Sequence, residues 1–429
     1  MLLLDVFSRR SRALLLAVLT LAGAISTIPP CVAQDFESVP QVKASDLLDP
    51  GWLAGEMHTV LPDVQADKAL YRFTLKAGEE TIEVQGIELL KQRIREVYAT
   101  AALKKKLGVI ASGKGLADEG ISIGQTFGGA LKKPIKTLVD IPRGFASIGK
   151  RSAGAAESKM KADGNYTGGA LRDWYQISEY KLGVAADLGV DPYSDNEALQ
   201  KQLTRLATSE AAGGIGLRVL IPGDSIVVAA QEGGSAAKLN DVYLTAPTQL
   251  YQENQGMLTK LGVGKEEVVK FLGSPVYSPA DQSTMVRAIS GMGKIDGIND
   301  YLAAAESVED RAESYLFRLS TEMLKWRHDQ GPPIVSLRSF GGFPVGITAD
   351  KRLVVPIYLD HVVWSERAGG FIKTLLEFQA EQKCASTEVV TPGKISAKAK
   401  AGLAEKGIKV TACPQPGRET KPPFDLKKK

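Results

Sequence analysis

Three histidines in a chain of 429 residues leave few places for imidazole chemistry. His361 follows Asp360 in the run RLVVPIYLDHVVW, where a strand pattern gives way to a helix pattern. Such junctions are where α/β folds put sites, and a carboxylate beside an imidazole is general acid–base equipment. The pair also has a plainer use, with Asp360 capping the helix that follows and His361 a partly buried neighbour. Gly120-Ile121-Ser122-Ile123-Gly124 spells the nucleophile elbow, in which a strand-to-helix turn lifts the serine out of the backbone. The residues before Gly120 are SGKGLADE, with no apolar strand, and a chain with 43 glycines meets this pattern readily by chance. The motif therefore reads as a glycine-rich loop, and a hydrolase using Ser122, or Asp360 with His361, stands as a rival function. Residues 108–115 (GVIASGKG) come within one residue of a phosphate-binding loop, but Gly115 stands where Ser or Thr would hold magnesium, so no nucleotide is expected. His58, His328 and His361 are scattered and no Cys/His cluster exists, so neither a metal nor another cofactor is expected.

The N-terminus reads as an address. Arg9, Arg10 and Arg12 precede an apolar run, then Pro29-Pro30 and Cys31-Val32-Ala33, the layout of a secretory signal peptide cleaved after Ala33. Ser8-Arg9-Arg10 is a partial twin-arginine pattern, with Arg12 where an apolar residue belongs. The leader takes three Arg and one Asp with it, so the formal charge drops from +4 by two. A chain so close to neutral is not a general nucleic-acid binder. Any basic function must be local, in the periplasm or cell envelope. Cys384 and Cys413 remain after cleavage, and two cysteines in an oxidising compartment often pair.

Local basicity is found at residues 131–151, LKKPIKTLVDIPRGFASIGKR. Leu131, Ile135, Leu138, Ile141, Phe145 and Ile148 recur at helical spacing. Lys132, Lys133, Lys136, Arg143, Lys150 and Arg151 surround that face against a lone Asp140. Pro142 breaks or kinks the helix, giving two short amphipathic pieces. Such an element lies on an anionic membrane surface or an envelope protein partner, or packs its apolar side on its own domain.

The elements around these candidates predict an α+β, mostly helical chain. It carries an N-terminal hairpin-plus-helix unit, a helical middle and a small C-terminal α/β domain. The spans are a signal peptide at 1–33, a lead-in at 34–56 that reads as polar and mobile over 34–50, and a small α+β unit with a glycine-rich loop at 57–130. The basic segment and linker take 131–165, the helical domain 166–331, the α/β domain 332–413 and a disordered tail 414–429. Residues 69–75 and 80–84 read as a hairpin, and Ile87, Leu90, Ile94, Val97 and Ala101 as the face of the following helix. Residues 171–180 read as helix. Ser194 and Glu197 read as a capping box for a helix that buries Leu199, Leu203 and Leu206. Ser278–Asp281 and Ser307–Asp310 are further S-x-x-D starts. Leu353, Val355, Ile357 and Leu359 alternate, and Pro356 among them suggests an edge strand. A crossover makes the strands near Glu388 and Ile408 parallel, which puts Cys384 and Cys413 at opposite ends and counts against their pairing.

Five stretches together resemble a family of uncharacterised exported proteobacterial proteins of unknown function. They are YRFTLKAGEETIEVQGIELLKQRIRE (71–96), KPIKTLVDIPRGFASIGKR (133–151), LGVDPYSDNEAL (188–199), RLVVPIYLDHVVWSERA (352–368) and KISAKAKAGLAEKGIKV (394–410). The resemblance implies a common architecture and export, and no activity. This chain has His361 where the family pattern has Tyr, which argues against a catalytic role there.

Overall fold

Alternating apolar residues make the N-terminal hairpin. The computed structural model describes residues 36–38, 41–67, 70–112, 177–210 and 241–415; those from Ser38 onward belong to one unit. β1 (Val42–Lys43), β2 (Thr59–Val60), β3 (Asp63–Asp67), β4 (Leu70–Ala77) and β5 (Glu80–Gln85) form an antiparallel sheet centred on β4. Phe73 and Leu75 are buried on one face, because side chains two apart on a strand share a side. The lead-in was expected to be mobile, yet β1 pairs with β3 and the short helix α1 (Pro50–Leu53) buries Trp52 in the same core. The polar look of residues 41–56 hides Ala44, Leu48 and Trp52, whose spacing is too irregular to register as a period.

Helix α2 (Ile87–Ser112) lays Leu90, Ile94 and Tyr98 on that sheet. Farther along, Ala99 and Leu103 join a second core with α3 (Glu179–Asp187) and α4 (Glu197–Glu210), where Leu199, Leu203 and Leu206 are buried as their spacing predicts. The capping box expected at Ser194 is not formed. Asn196 caps α4 by accepting from Leu199 N–H at 3.1 Å, while the Ser194 hydroxyl donates to the buried Glu96 carboxylate at 2.6 Å. The Ser194 oxygen also accepts from Asn196 N–H at 3.1 Å, so the hydroxyl ties the chain just before α4 to Glu96.

The helical middle continues with α5 (Pro247–Lys260), α6 (Lys265–Leu272), α7 (Pro279–Ser290), α8 (Ile298–Glu306) and α9 (Arg311–Asp329). Ser278 and Asp281 form the capping box that the sequence suggested for α7. The other S-x-x-D start is corrected. Ser307 closes α8, and Asp310 caps α9 by accepting from Ala312 and Glu313 N–H at 2.9 and 2.8 Å.

Helix α9 buries Leu316, Leu319, Met323 and Leu324 between the other helices and the C-terminal sheet. That sheet comprises β6 (Ile334–Phe340), β7 (Phe343–Thr348), β8 (Arg352–Pro356), β10 (Ser386–Thr391) and β12 (Ile408–Ala412), ordered β12-β10-β8-β7-β6. β8, β10 and β12 are parallel, and β6 and β7 are antiparallel additions. The other face is covered by α10 (Glu366–Glu381) and α11 (Ala397–Glu405). β8 is therefore central rather than an edge. Pro356 is tolerated because β7 pairs only with Leu353 and Val354, and the neighbouring Ile357 supplies the N–H to Val390 O at 2.8 Å. Two short strands, β9 (His361–Val362) and β11 (Lys394–Ile395), pair in parallel just beyond the carboxyl end of β8.

Candidate functional site

Asp360 and His361 lie where β8 has ended and β9 begins, at the carboxyl end of the parallel strands. Backbone geometry holds them there: Lys394 N–H donates to Asp360 O and Ser396 N–H to Val362 O, each at 3.0 Å. The returning chain comes close enough that a Cβ on Gly393 would sit 2.1 Å from Leu359 O, so only glycine fits.

The Asp360 side chain does not cap the helix that follows. Ser365 does that, accepting from Ala368 N–H at 3.2 Å. Asp360 instead reaches the N-terminal sheet and helix. Its Oδ2 accepts from Tyr71 N–H at 2.9 Å, and its Oδ1, more distantly at 3.5 Å, from Ile87 N–H. Ile87 opens α2 and has no intrahelical partner for its amide. Gly86 before it has φ +92°, a conformation glycine accepts readily, and carries no side chain with which to cap. A carboxylate 273 residues downstream supplies that cap, at the helix end that favours negative charge.

His361 is buried, more deeply than the partly buried neighbour expected. Its ring stacks on Tyr71 with centroids 4.6 Å apart and planes 20° apart. Its Nδ1 is buried without a hydrogen-bond partner, as is the Tyr358 hydroxyl two residues before Asp360. Burial pushes the Asp360 carboxyl up to about 7, against the pull of the two amides; nearby Glu88 adds to the rise and Lys91 opposes it. Burial also holds His361 below its usual value, so it is neutral at physiological pH. Burial and then Asp360 raise Tyr71. A carboxyl near neutrality beside a neutral imidazole has acid–base character. Here both carboxyl oxygens face backbone amides and the imidazole lies under a phenol ring, so the arrangement fastens two parts of the chain together.

Two other buried carboxylates, Glu96 and Glu388, are each paired with an arginine. Glu96 on α2 accepts from Arg93, Gln92, Ser194 and Asn196 at 2.6–3.0 Å, and Arg93 also pairs with Asp195 at 2.6 Å. The sequence stretch 191–196 is thereby bolted to α2. Glu388 on β10 takes a bidentate pair from Arg327 at 3.0 and 2.9 Å, a bond from Arg352 at 3.2 Å and one from the Thr411 hydroxyl. Burial alone would raise Glu388, but Arg327 and Thr411 outweigh it and hold the carboxyl at about 2.

The remaining candidates separate. His58 meets Tyr98 Oη at 3.1 Å and Trp52 O at 3.3 Å inside the N-terminal core, and His328 accepts from Ile334 N–H at 3.1 Å. Among the described residues no group of three or more His, Cys, Asp or Glu could hold a metal ion. Cys384 and Cys413 are buried free thiols. The register of β10 with β12 places one before the start of the parallel pair and the other after its end, roughly 13 Å of strand apart at least, so the pairing considered from sequence is not made. Ser122, the basic residues Lys132, Lys133, Lys136, Arg143, Lys150 and Arg151, and Phe145 between them lie outside the described residues. No helix among the described residues is long and apolar enough to cross a membrane.

Sequence reasoning missed Tyr71, Ile87 and the Glu96 and Glu388 networks, since none has a local motif. One signal existed: a glycine at the start of a 26-residue helix leaves its first turn without a cap of its own. No family model matches the chain, and comparison with curated proteins and with solved structures likewise gives no match.

Proposed function

We propose that the chain is an exported, non-enzymatic protein of the cell envelope that binds an anionic membrane surface, or a protein partner, through the basic amphipathic segment 131–151. Its working organisation in this reading is a hairpin-plus-helix unit, a helical middle and a small α/β domain. The observation that carries the reading is the sequence pattern itself, six cations set among apolar residues at helical spacing with one intervening Asp. The core around Leu103, Val184, Leu188 and Leu203 adds support, because it joins the helices on either side of residues 113–176 directly.

Co-sedimentation with vesicles tests it. The chain is expected to pellet with anionic vesicles and to lose most of that binding in a Lys132/Lys133/Lys136/Arg143→Gln variant, with the difference shrinking in high salt. Equal behaviour of the two proteins overturns the reading.

A hydrolase using Ser122, or Asp360 with His361, is the second reading, favoured by the near-neutral Asp360 carboxyl. It predicts labelling of Ser122 by a fluorophosphonate, and it must also free Asp360 from the amides of Tyr71 and Ile87. A helical interaction scaffold is the third, and pull-down with and without residues 168–329 separates it from the others.

A further inference from the structure

We propose that Asp360 is a pH-sensitive latch which holds the start of α2 and the strand β4 over the carboxyl end of the parallel strands, closed in acid and released above neutrality. Release uncovers His361 and Tyr358, the two side chains there that have a buried, unpartnered polar atom. The proposal does not depend on membrane binding by residues 131–151.

The geometry sets Asp360 apart. Glu96 and Glu388 are fully buried, and each is neutralised by arginine. Asp360 is 3 % exposed, and its side chain accepts only from the amides of Tyr71 and Ile87. No cation among the described residues forms an ion pair with it. A buried carboxylate without a counter-ion is stable mainly as the neutral acid. The charged and titratable groups facing it are few. Tyr71 comes from β4, Glu88 and Lys91 from α2, and Tyr358 and His361 from its own segment; Tyr315 and Arg318 on α9 face it only by way of Tyr358. Lys91 is already paired with Glu88 at 3.1 Å, and the Lys394 ammonium turns away to Asp46 O at 3.3 Å. The phenols stay protonated and His361 stays neutral between pH 7 and 8, so Asp360 is the group that changes charge there.

The sign follows from linkage. In the closed form the carboxyl titrates near 7, and once opened to solvent it returns to the ordinary 3.8. The closed form therefore holds the proton more tightly, and closure weakens as pH rises between those values, by roughly 100-fold from pH 5 to pH 8.

Amide exchange on the full chain reads this directly. After correction for intrinsic exchange rates, protection of the Tyr71 and Ile87 amides is expected to fall by about two orders of magnitude from pH 5 to pH 8. The amides of Val389 and Val390 on β10 are expected to hold steady, and Asp360→Asn is expected to make the Tyr71 response flat. Constant protection in the wild type, an equal fall on β10, or an unchanged response in Asp360→Asn each overturns the latch. If that variant does not fold, the carboxyl carbon shift of Asp360 in the wild type decides. A midpoint of 6 or above supports the latch and one below 6 refutes it.

Discussion

Glu388 and Asp360 are both buried carboxylates in the same α/β layer, and they respond to acid in opposite directions. Glu388 sits below its unfolded value of 4.5, at about 2, so the stability it contributes is complete above 4.5 and is lost as pH falls through 2. Replacing it with Gln leaves Arg327 buried without its carboxylate. The expected cost at pH 7 is about 3 kcal/mol in urea unfolding, shrinking as the wild type is acidified. A variant as stable as wild type at pH 7 means that the arginines find other acceptors. Asp360 sits above its unfolded value, so its penalty appears as pH rises. The stability difference between wild type and Asp360→Asn therefore moves in the variant's favour from pH 5 to pH 8. A difference that moves the other way means that the two amides and the end of α2 hold the charged form better than burial opposes it.

Helix starts give a graded test at the level of elements. Ser365 caps α10 through one bond to Ala368 N–H and has no second task, so Ser365→Ala is expected to cost about 1 kcal/mol. Asn196 caps α4 and also donates to Glu96 at 3.0 Å. Asn196→Ala removes the cap and strips a bond from a fully buried carboxylate, and is expected to cost at least about 2 kcal/mol. Equal losses in the two variants, measured by denaturant unfolding, remove Asn196 from the Glu96 network. The same residues mark where sequence patterns stop being informative. The face Leu199, Leu203 and Leu206 and the capping box at Ser278 were legible because each depends on residues within a few positions of one another, and the parallel β10–β12 crossover because strand, helix and strand follow directly along the chain. The roles of Ser194, Asn196 and Asp360 were not, because each is decided by a partner 98 to 289 residues away. Local chemistry assigned caps to Ser194 and Asp360, whereas the folded chain gives the Ser194 hydroxyl to Glu96 and the Asp360 carboxyl to the start of α2.

Across the whole molecule, the described cores are assembled from segments far apart in sequence, and residues 113–176 fall between two of them. Ala99 and Leu103 on α2 pack with Val184, Leu188 and Leu203, so the two sides of this stretch are already joined by apolar contact and by Glu96 with Ser194 and Asn196. Loop-closure entropy depends only weakly on length. Exchanging residues 113–176 for a flexible linker of about 20 residues alters the closure cost by about 1 kcal/mol, in the direction of stability. The exchanged protein is therefore expected to unfold cooperatively with stability within about 1 kcal/mol of the full chain, and to lose vesicle binding, since the cationic face goes with the deleted residues. The two readouts separate the alternatives that the sequence pattern leaves open. Cooperative unfolding with binding lost assigns the apolar face of residues 131–151 to an external surface. A large loss of stability, or collapse to a non-cooperative state, assigns that face to the protein's own interior, and the case for an envelope-binding element then fails on physical grounds whatever the vesicles do.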